Sequence, residues 1–454
     1  MRSKYIVVVL LMLGILHNHA RGQDPVPADA ALSTTNAPRI SAPFVTGTAQ
    51  FAPELERTNY LDAGFSFGTS FDDNALNTAG DRMSDTTFSM FPNIALRQSR
   101  SRMNWRLSYA GGFAVHQRFS SYNQGSHDFG LHTTIRLAPH IDLTLFDRYL
   151  MATSLFDQSS QNAGLAPGTI LQQPNSSVIL PLAKINSNNA TVQINDQFSA
   201  SSALGGSATF YQSHYKDAPV GTSLVDTDSK EAEAYFNHRI SARHFLGAIY
   251  RFQKFSFSPL ANDMTAHSVL AAYTLQLRPT MTLAFFAGPQ HTQTMMDVVV
   301  PSVVLPRIQI LAIAVPQKSW STTAGGSYVW NGLHTGVTVN ASRTLSDGGG
   351  LLGAVNLTSV DGTFRRQLSR QYTVSFAANY GQSDAVGQVP TPYSAVTSAL
   401  GSVSVNRTFA TNLGLTLGYA RAFQLQGNGQ GIPNISHNRA WISVSYQLSR
   451  PLGR

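Results

Sequence analysis

Cysteine is absent from the 454 residues, which excludes disulfide frameworks, thiol nucleophiles and cysteine–zinc sites together. Charge is scarce: 12% of residues are charged, against about 25% in an ordinary soluble chain. Beyond the N-terminus no stretch of about 18 apolar residues exists, so no transmembrane helix is predicted. The longest apolar-rich segment, Asp297 to Pro316, is broken by Pro301, Pro306, Arg307 and Gln309. Helical periodicity is missing after the first 22 residues. Catalytic signatures are missing too. No HExxH occurs, no helix is available to seat a nucleophile elbow, and Gly348 to Gly350 lack the Lys-Ser/Thr of a phosphate loop. No enzyme activity, metal or cofactor is expected. Nor is nucleic acid, because the +8 formal charge is spread along the chain without a Lys/Arg run.

What is present begins with an address. MRSK is a positive n-region, Tyr5 to Leu16 an apolar core, and Ala20-Arg21-Gly22 puts small residues where a signal peptidase reads. Residues 1–22 read as a cleaved signal peptide. Cleavage removes Arg2, Lys4 and Arg21 and lowers the net charge by three. Residues 23–59, with Pro25, Pro27, Pro38, Pro43 and Pro53, read as a flexible periplasmic lead-in.

From Tyr60 the chain alternates apolar with polar or small residues. Leu61, Ala63, Phe65 and Phe67 alternate with Asp62, Gly64, Ser66 and Gly68. Tyr372, Val374, Phe376, Ala378 and Tyr380 do so against Thr373, Ser375 and Asn379. About eighteen such segments run from 60–70 to 437–449. Turn sequences such as Leu137-Ala138-Pro139-His140, Arg278-Pro279-Thr280 and Asn331-Gly332 join them in pairs. The intervening connections are mostly longer: 71–85, 153–187, 216–228, 293–317, 383–394 and 424–436. Short turns alternating with long loops are the pattern of a closed transmembrane barrel, since lipid offers no partner for an open sheet edge. The predicted fold class is all-β: a transmembrane antiparallel up-and-down β-barrel over 60–454, of eighteen or sixteen strands.

If the apolar face meets lipid, the other face lines a lumen. Its expected members include Ser66, Asn93, Ser108, Thr134, Gln193, Asn195, Gln253, Thr274, Gln276, Thr338, Asn340, Ser402, Ser404 and Thr416. The same parity turns Arg97, Arg106, Arg136, Arg148, Arg239, Arg251 and Arg365 inward, with Asp62, Asp142, Glu231, Glu233 and Asp361. These are the candidate pore-lining residues. They either give the lumen an anion preference or brace the wall as ion pairs. Trp105, Tyr109, Tyr250, Tyr273, Trp320, Tyr328, Trp330, Tyr372, Tyr380, Tyr419 and Tyr446 are expected to form aromatic belts at the lipid headgroups. Asp196 breaks parity by falling on the apolar face, and strand 206–215 shows no clear outward face. Loop 153–187 is a candidate constriction. Loop 293–317 is apolar enough to be a strand extension, a plug or a protomer contact.

The hairpins NHRISARHFLGAIYRFQKFSF (237–257) and FRRQLSRQYTVSFAANYGQSD (364–384), and the terminal WISVSYQLSRPLGR (441–454), resemble those of Gram-negative outer-membrane β-barrel porins. They are most similar to the porin families associated with exopolysaccharide systems. The resemblance implies a chain in the cell outer membrane, in contact with lipid and lipopolysaccharide and delivered by the barrel-assembly machinery. It implies passive or semi-selective passage of small hydrophilic, including anionic, solutes. Two alternatives stand beside that: a conduit for exopolysaccharide export, and a closed-lumen structural or adhesive barrel. The sequence departs from many such barrels in its final residues, where Tyr446 rather than the last residue supplies the aromatic group.

Overall fold

A computed structural model describes residues 58–452 apart from 79–81, 153–178, 180–182, 217–223, 259–261, 305–306, 351–352, 387–394, 411 and 428–433. The signal expectation and the lead-in expectation as far as residue 57 lie outside the described residues; the last two lead-in residues, Thr58 and Asn59, belong instead to the first strand. The rest is one sheet of eighteen strands: β1 Thr58–Asp72, β2 Asp85–Ser99, β3 Met103–His116, β4 Gln124–Ala138, β5 Ile141–Ala152 and β6 Lys184–Asp196, then β7 Ser202–Lys216, β8 Asp226–Arg239, β9 His244–Ser258, β10 Asn262–Arg278, β11 Met281–Val304 and β12 Arg307–Asn331, then β13 Thr335–Ser346, β14 Val355–Gln367, β15 Tyr372–Ala385, β16 Ala395–Ala410, β17 Leu413–Gly427 and β18 Ile435–Pro451. Each strand pairs antiparallel with its neighbours in sequence, and β18 pairs back onto β1 from Tyr60↔Pro451 to Asp72↔Arg439. The count is thus eighteen, and the ring has no free edge. Among the described residues no helix is long and apolar enough to cross a membrane.

The two-residue period of a strand sends successive side chains to opposite faces, and each face is chemically uniform. Phe65, Phe67, Leu107, Phe129, Leu246, Val269, Phe285 and Leu417 are all exposed, large and apolar. Between them lie buried Ser66, Ser70, Ser268, Gln253 and Thr416. An apolar outside around a polar inside reverses the arrangement of a water-soluble sheet protein, whose apolar rows are covered. The outer rings pair: Tyr109 lies 4.7 Å from Phe129, and Arg407 sits 4.6 Å from the Phe409 ring and 5.3 Å from that of Tyr372.

One end of the ring is closed by turns of two to five residues, such as those between β4 and β5 and between β8 and β9; most of the longer connections gather at the other end. Asp196 sits at the short-turn end, where its Oδ1 lies 2.7 Å from His140 Nδ1. That position explains how the apolar face tolerates it. On β7, Leu204 and Ala208 are exposed on one parity while Ser213 is buried on the other.

Segment 293–317 is not a loop. β11 and β12 stay paired out to Val304↔Arg307, although β10 pairs with β11 only to Thr294 and β13 with β12 only to Ala324. The hairpin therefore extends as a two-stranded ribbon with unpaired outer edges. Prolines suit such edges because they have no ladder donor to lose. Lower in β11, Gly288 and Pro289 face a gap in the β10–β11 register between Ser268↔Gln290 and Ala271↔Ala287. A Cβ on Gly288 would lie 1.9 Å from the Val269 carbonyl oxygen, so only glycine fits there.

Candidate functional site: the lumen

The inner parity is set strand by strand. Gly64 opposes Asn93, Ser108 opposes Gly130, Asn340 opposes Asp361 and Ser404 opposes Ser375. Arg97, Arg106, Arg136, Arg148, Arg239, Arg251 and Arg365 all lie on this parity, and they fall into two groups. Four meet carboxylates. Arg97 Nη2 donates to Asp62 Oδ1 at 3.0 Å, while its Nε approaches Oδ2 at 2.7 Å off the hydrogen-bond line. Arg136 Nε lies 3.5 Å from Asp142 Oδ1. Arg148 grips Asp128 with two bonds, at 2.9 and 2.5 Å. Arg251 reaches Glu231 at 3.2 Å and Glu233 at 2.5 Å, and Gln253 Nε2 donates to Glu231 at 2.9 Å. Arg106, Arg239 and Arg365 make no ion pair among the described residues. Asp361 accepts from Asn340 Nδ2 at 2.7 Å.

The registers draw a cation-rich row toward the short-turn end. Tyr60 opposes Arg97, Arg97 opposes Arg106, Arg106 opposes His132, and His132 opposes Phe146. Asp62 is the carboxylate that serves this row, and Ser449 Oγ shares it at 2.7 Å. Arg97 also lies 5.7 Å from the Tyr60 ring centroid. Two guanidiniums therefore share one acid, with an imidazole next in the row and an aromatic ring at either end. Such a row attracts anions and gives flat solutes a surface to rest on.

Higher in the lumen the wall on β8–β11 is braced and apolar. Tyr235, Ile249, Leu270, Ala272, Ala284 and Phe286 form a buried cluster below the Arg251 network. The Tyr235 hydroxyl accepts from Gln193 Nε2 at 3.0 Å. None of these inward apolar residues was legible as such, because a large aliphatic on an alternating strand reads as lipid-facing.

The long-loop end is narrowed by connections that turn inward. Asn74 is fully buried and donates to the carbonyls of Thr78 and Ser436. Ile179, within the segment expected as a constriction, donates its backbone N–H to Gln424 Oε1 at 2.6 Å and packs against Ala420, Ala422 and Ile435 on the far wall. The remainder of 153–182 lies outside the described residues. The path of the third connection was not read from the sequence. After β13, Asp347-Gly348-Gly349-Gly350 leaves the wall and reaches past β12, β11, β10, β9 and β8 to β7. There the Gly350 carbonyl accepts from Val225 N at 2.8 Å. Leu345 packs with Val225, Phe255, Phe257, Met264 and Ala266. The three glycines have φ of 69°, 64° and 85°. A Cβ on Gly350 would lie 2.4 Å from the Tyr215 ring. Three consecutive glycines were the available signal: they are the residues that let a chain make this turn and lie flat on a ring.

Among the described residues no three His, Asp or Glu side chains gather as a metal site. The arrangement defines a closed antiparallel barrel, apolar outside and polar inside, with inward loops at one end. No family model matches the chain, and none of the curated proteins does. Solved barrels of similar architecture include the Pseudomonas aeruginosa outer membrane protein OpdK (12% identity, TM-score 0.40, covering 86% of this chain and 99% of that one). Acinetobacter baumannii OccAB4 (10%, 0.43, 87% and 99%) and Pseudomonas aeruginosa OprD (10%, 0.41, 88% and 98%) are others. At that overlap neither solute nor selectivity transfers to this chain.

Proposed function

We propose that the chain is a pore of the Gram-negative outer membrane, exported by its N-terminal signal, through which small hydrophilic solutes diffuse with a preference for anions. The observation that carries this reading is the pairing of the two faces. The outside is a band of exposed Phe, Leu, Val and Ile. Such a band is stable only against acyl chains. The inside then encloses water, and barrels of this strand number are wide enough to do so. The Arg97–Arg106–His132 row supports the anion preference, because its positive groups outnumber the carboxylate beside them. Arg136, Arg148 and Arg251 are matched by acids and act as braces of the wall.

The test is the reversal potential across a planar bilayer under a salt gradient. Wild-type protein is expected to favour anions. Arg106→Ser is expected to weaken that preference several-fold, and Arg136→Ser to change it less. A non-conducting protein would remove the pore, and an unchanged preference in Arg106→Ser would remove the role of the row. The structure adds a reason to set a polymer conduit second. Asn74, Ile179 and Gly350 all bring backbone into the long-loop end, where a polysaccharide would have to leave.

A further inference from the structure

Among the described residues, the Asp347–Gly350 segment is held in the lumen by a few contacts. Its carbonyl bond to Val225, the bed of the Tyr215 ring and the Leu345 cluster hold it on the β7–β10 wall. Its three glycines carry no side chains to anchor it elsewhere and have the backbone freedom to swing. One charged group travels with it. The Asp347 carboxyl is buried, and its polar partners are its own neighbours: Gly349 N at 3.3 Å and Ser346 Oγ at 3.5 Å.

The groups that face Asp347 do not compensate a negative charge. From β7 come Tyr211, Ser213 and Tyr215. Beside them Asp226 accepts from Tyr215 N at 2.8 Å and lies 3.3 Å from His214, so this acid is engaged with partners of its own. From β9 and β10 come Phe255, Phe257, Met264 and Ala266, and Ala354 packs nearby; none of these titrates. No cation among the described residues reaches it. A buried carboxyl in such a place favours its neutral form.

We propose that Asp347–Gly350 is a lumen gate, docked on the Tyr215–Val225 wall when the Asp347 carboxyl is protonated and released from it when the carboxyl ionises. Burial, outweighing the bonds from Gly349 and Ser346, pushes this carboxyl up from 3.8 to about 6. The docked state therefore holds the proton more tightly than the free segment does. Docking is strongest below the free carboxyl's value and weakens as pH rises toward 6. By linkage the docked-to-released ratio falls roughly a hundredfold between about pH 4 and 6, then levels off. The direction is toward a narrower pore in acid.

The gate rests on the pore reading, and the experiment separates them. Single-channel conductance is measured at pH 4 and pH 7.5. Wild-type protein is expected to conduct less at pH 4. Asp347→Asn should stay at the lower level at both values, and Gly350→Val, which cannot lie on Tyr215, at the higher level. In parallel, Gly353→Cys gives the chain one thiol for a nitroxide label, at a position where a Cβ meets nothing within 4 Å. Its spectrum should change from immobilised to mobile as pH rises, and should not change in the Asp347→Asn background. Equal wild-type conductance at the two pH values overturns the gate and leaves the pore. A protein silent at both values overturns the pore, and the label then decides the gate: a spectrum independent of pH overturns it. If Gly350→Val fails to fold, the label and Asp347→Asn carry the same decision.

Discussion

Asp72 and Asp85 stand directly opposite each other in the β1–β2 ladder, both buried on the lumen side, and a histidine from the strand beyond meets each one. His437 Nε2 lies 2.6 Å from Asp72 Oδ2, and His116 Nδ1 lies 2.8 Å from Asp85 Oδ2. The two carboxylates mark the ends of the connection that turns inward at Asn74. Asp85 Oδ1 also accepts from Thr86 N and Arg118 N.

His116→Ala removes the partner of Asp85 Oδ2 and leaves an acceptor buried without a donor. The expected loss is about 1–3 kcal/mol. It should be read as a lower urea midpoint for loss of tryptophan fluorescence in detergent micelles. An unchanged midpoint would mean that water reaches the carboxylate once the ring is gone.

Arg251 is the second place where charge is buried in the wall. Removing it alone strands Glu231 and Glu233, two residues apart on one strand. Arg251→Met is therefore expected to cost about 3–5 kcal/mol. The triple variant Arg251→Met, Glu231→Gln, Glu233→Gln leaves no charge to strand and should recover most of that loss. The same urea titration checks both. Equal stability of single and triple variants would show that the guanidinium contributes packing rather than charge compensation.

The assignment of the outer face predicts an asymmetry between two arginine substitutions. Val269 is 59% exposed on the apolar band of β10, whereas Thr338 lies on the inner parity of β13. Val269→Arg is expected to cost about 2–4 kcal/mol for folding into lipid vesicles, and Thr338→Arg close to nothing. The folded fraction is read from the shift in migration between boiled and unboiled samples. Equal behaviour of the two variants would mean that the exposed rows do not face acyl chains.

The wall was legible because its signal is local. A strand records in its own alternation which side is which, so Ser66, Asn93 and Thr416 were assigned inward and Trp105, Tyr250 and Tyr446 outward, with no knowledge of their partners. Arg251 and Glu233 were placed on the same face by the same rule, but their contact was not legible, since register depends on two strands at once. Ile249 and Leu270 were invisible as lumen residues because an inward apolar side chain breaks the pattern being read. The β11–β12 ribbon was legible as one of three readings of 293–317, a strand extension, and was not singled out because its prolines signal a loop in an ordinary strand but cost nothing on a free edge. The path of Asp347–Gly350 was least legible of all. It is fixed by Tyr215 and Val225, more than a hundred residues earlier, and nothing in the glycines names them.

Eight residue pairs join β12 to β13, fewer than join any other adjacent strands, whereas fifteen join β1 to β2. A continuous ring distributes load around its circumference, so tearing starts where the stitching is shortest. Under mechanical pulling this molecule would unzip first between Ala324 and Asn331. The ring would open there into a single curved cloth, its twelve earlier strands still sewn to the six later ones through β18 and β1.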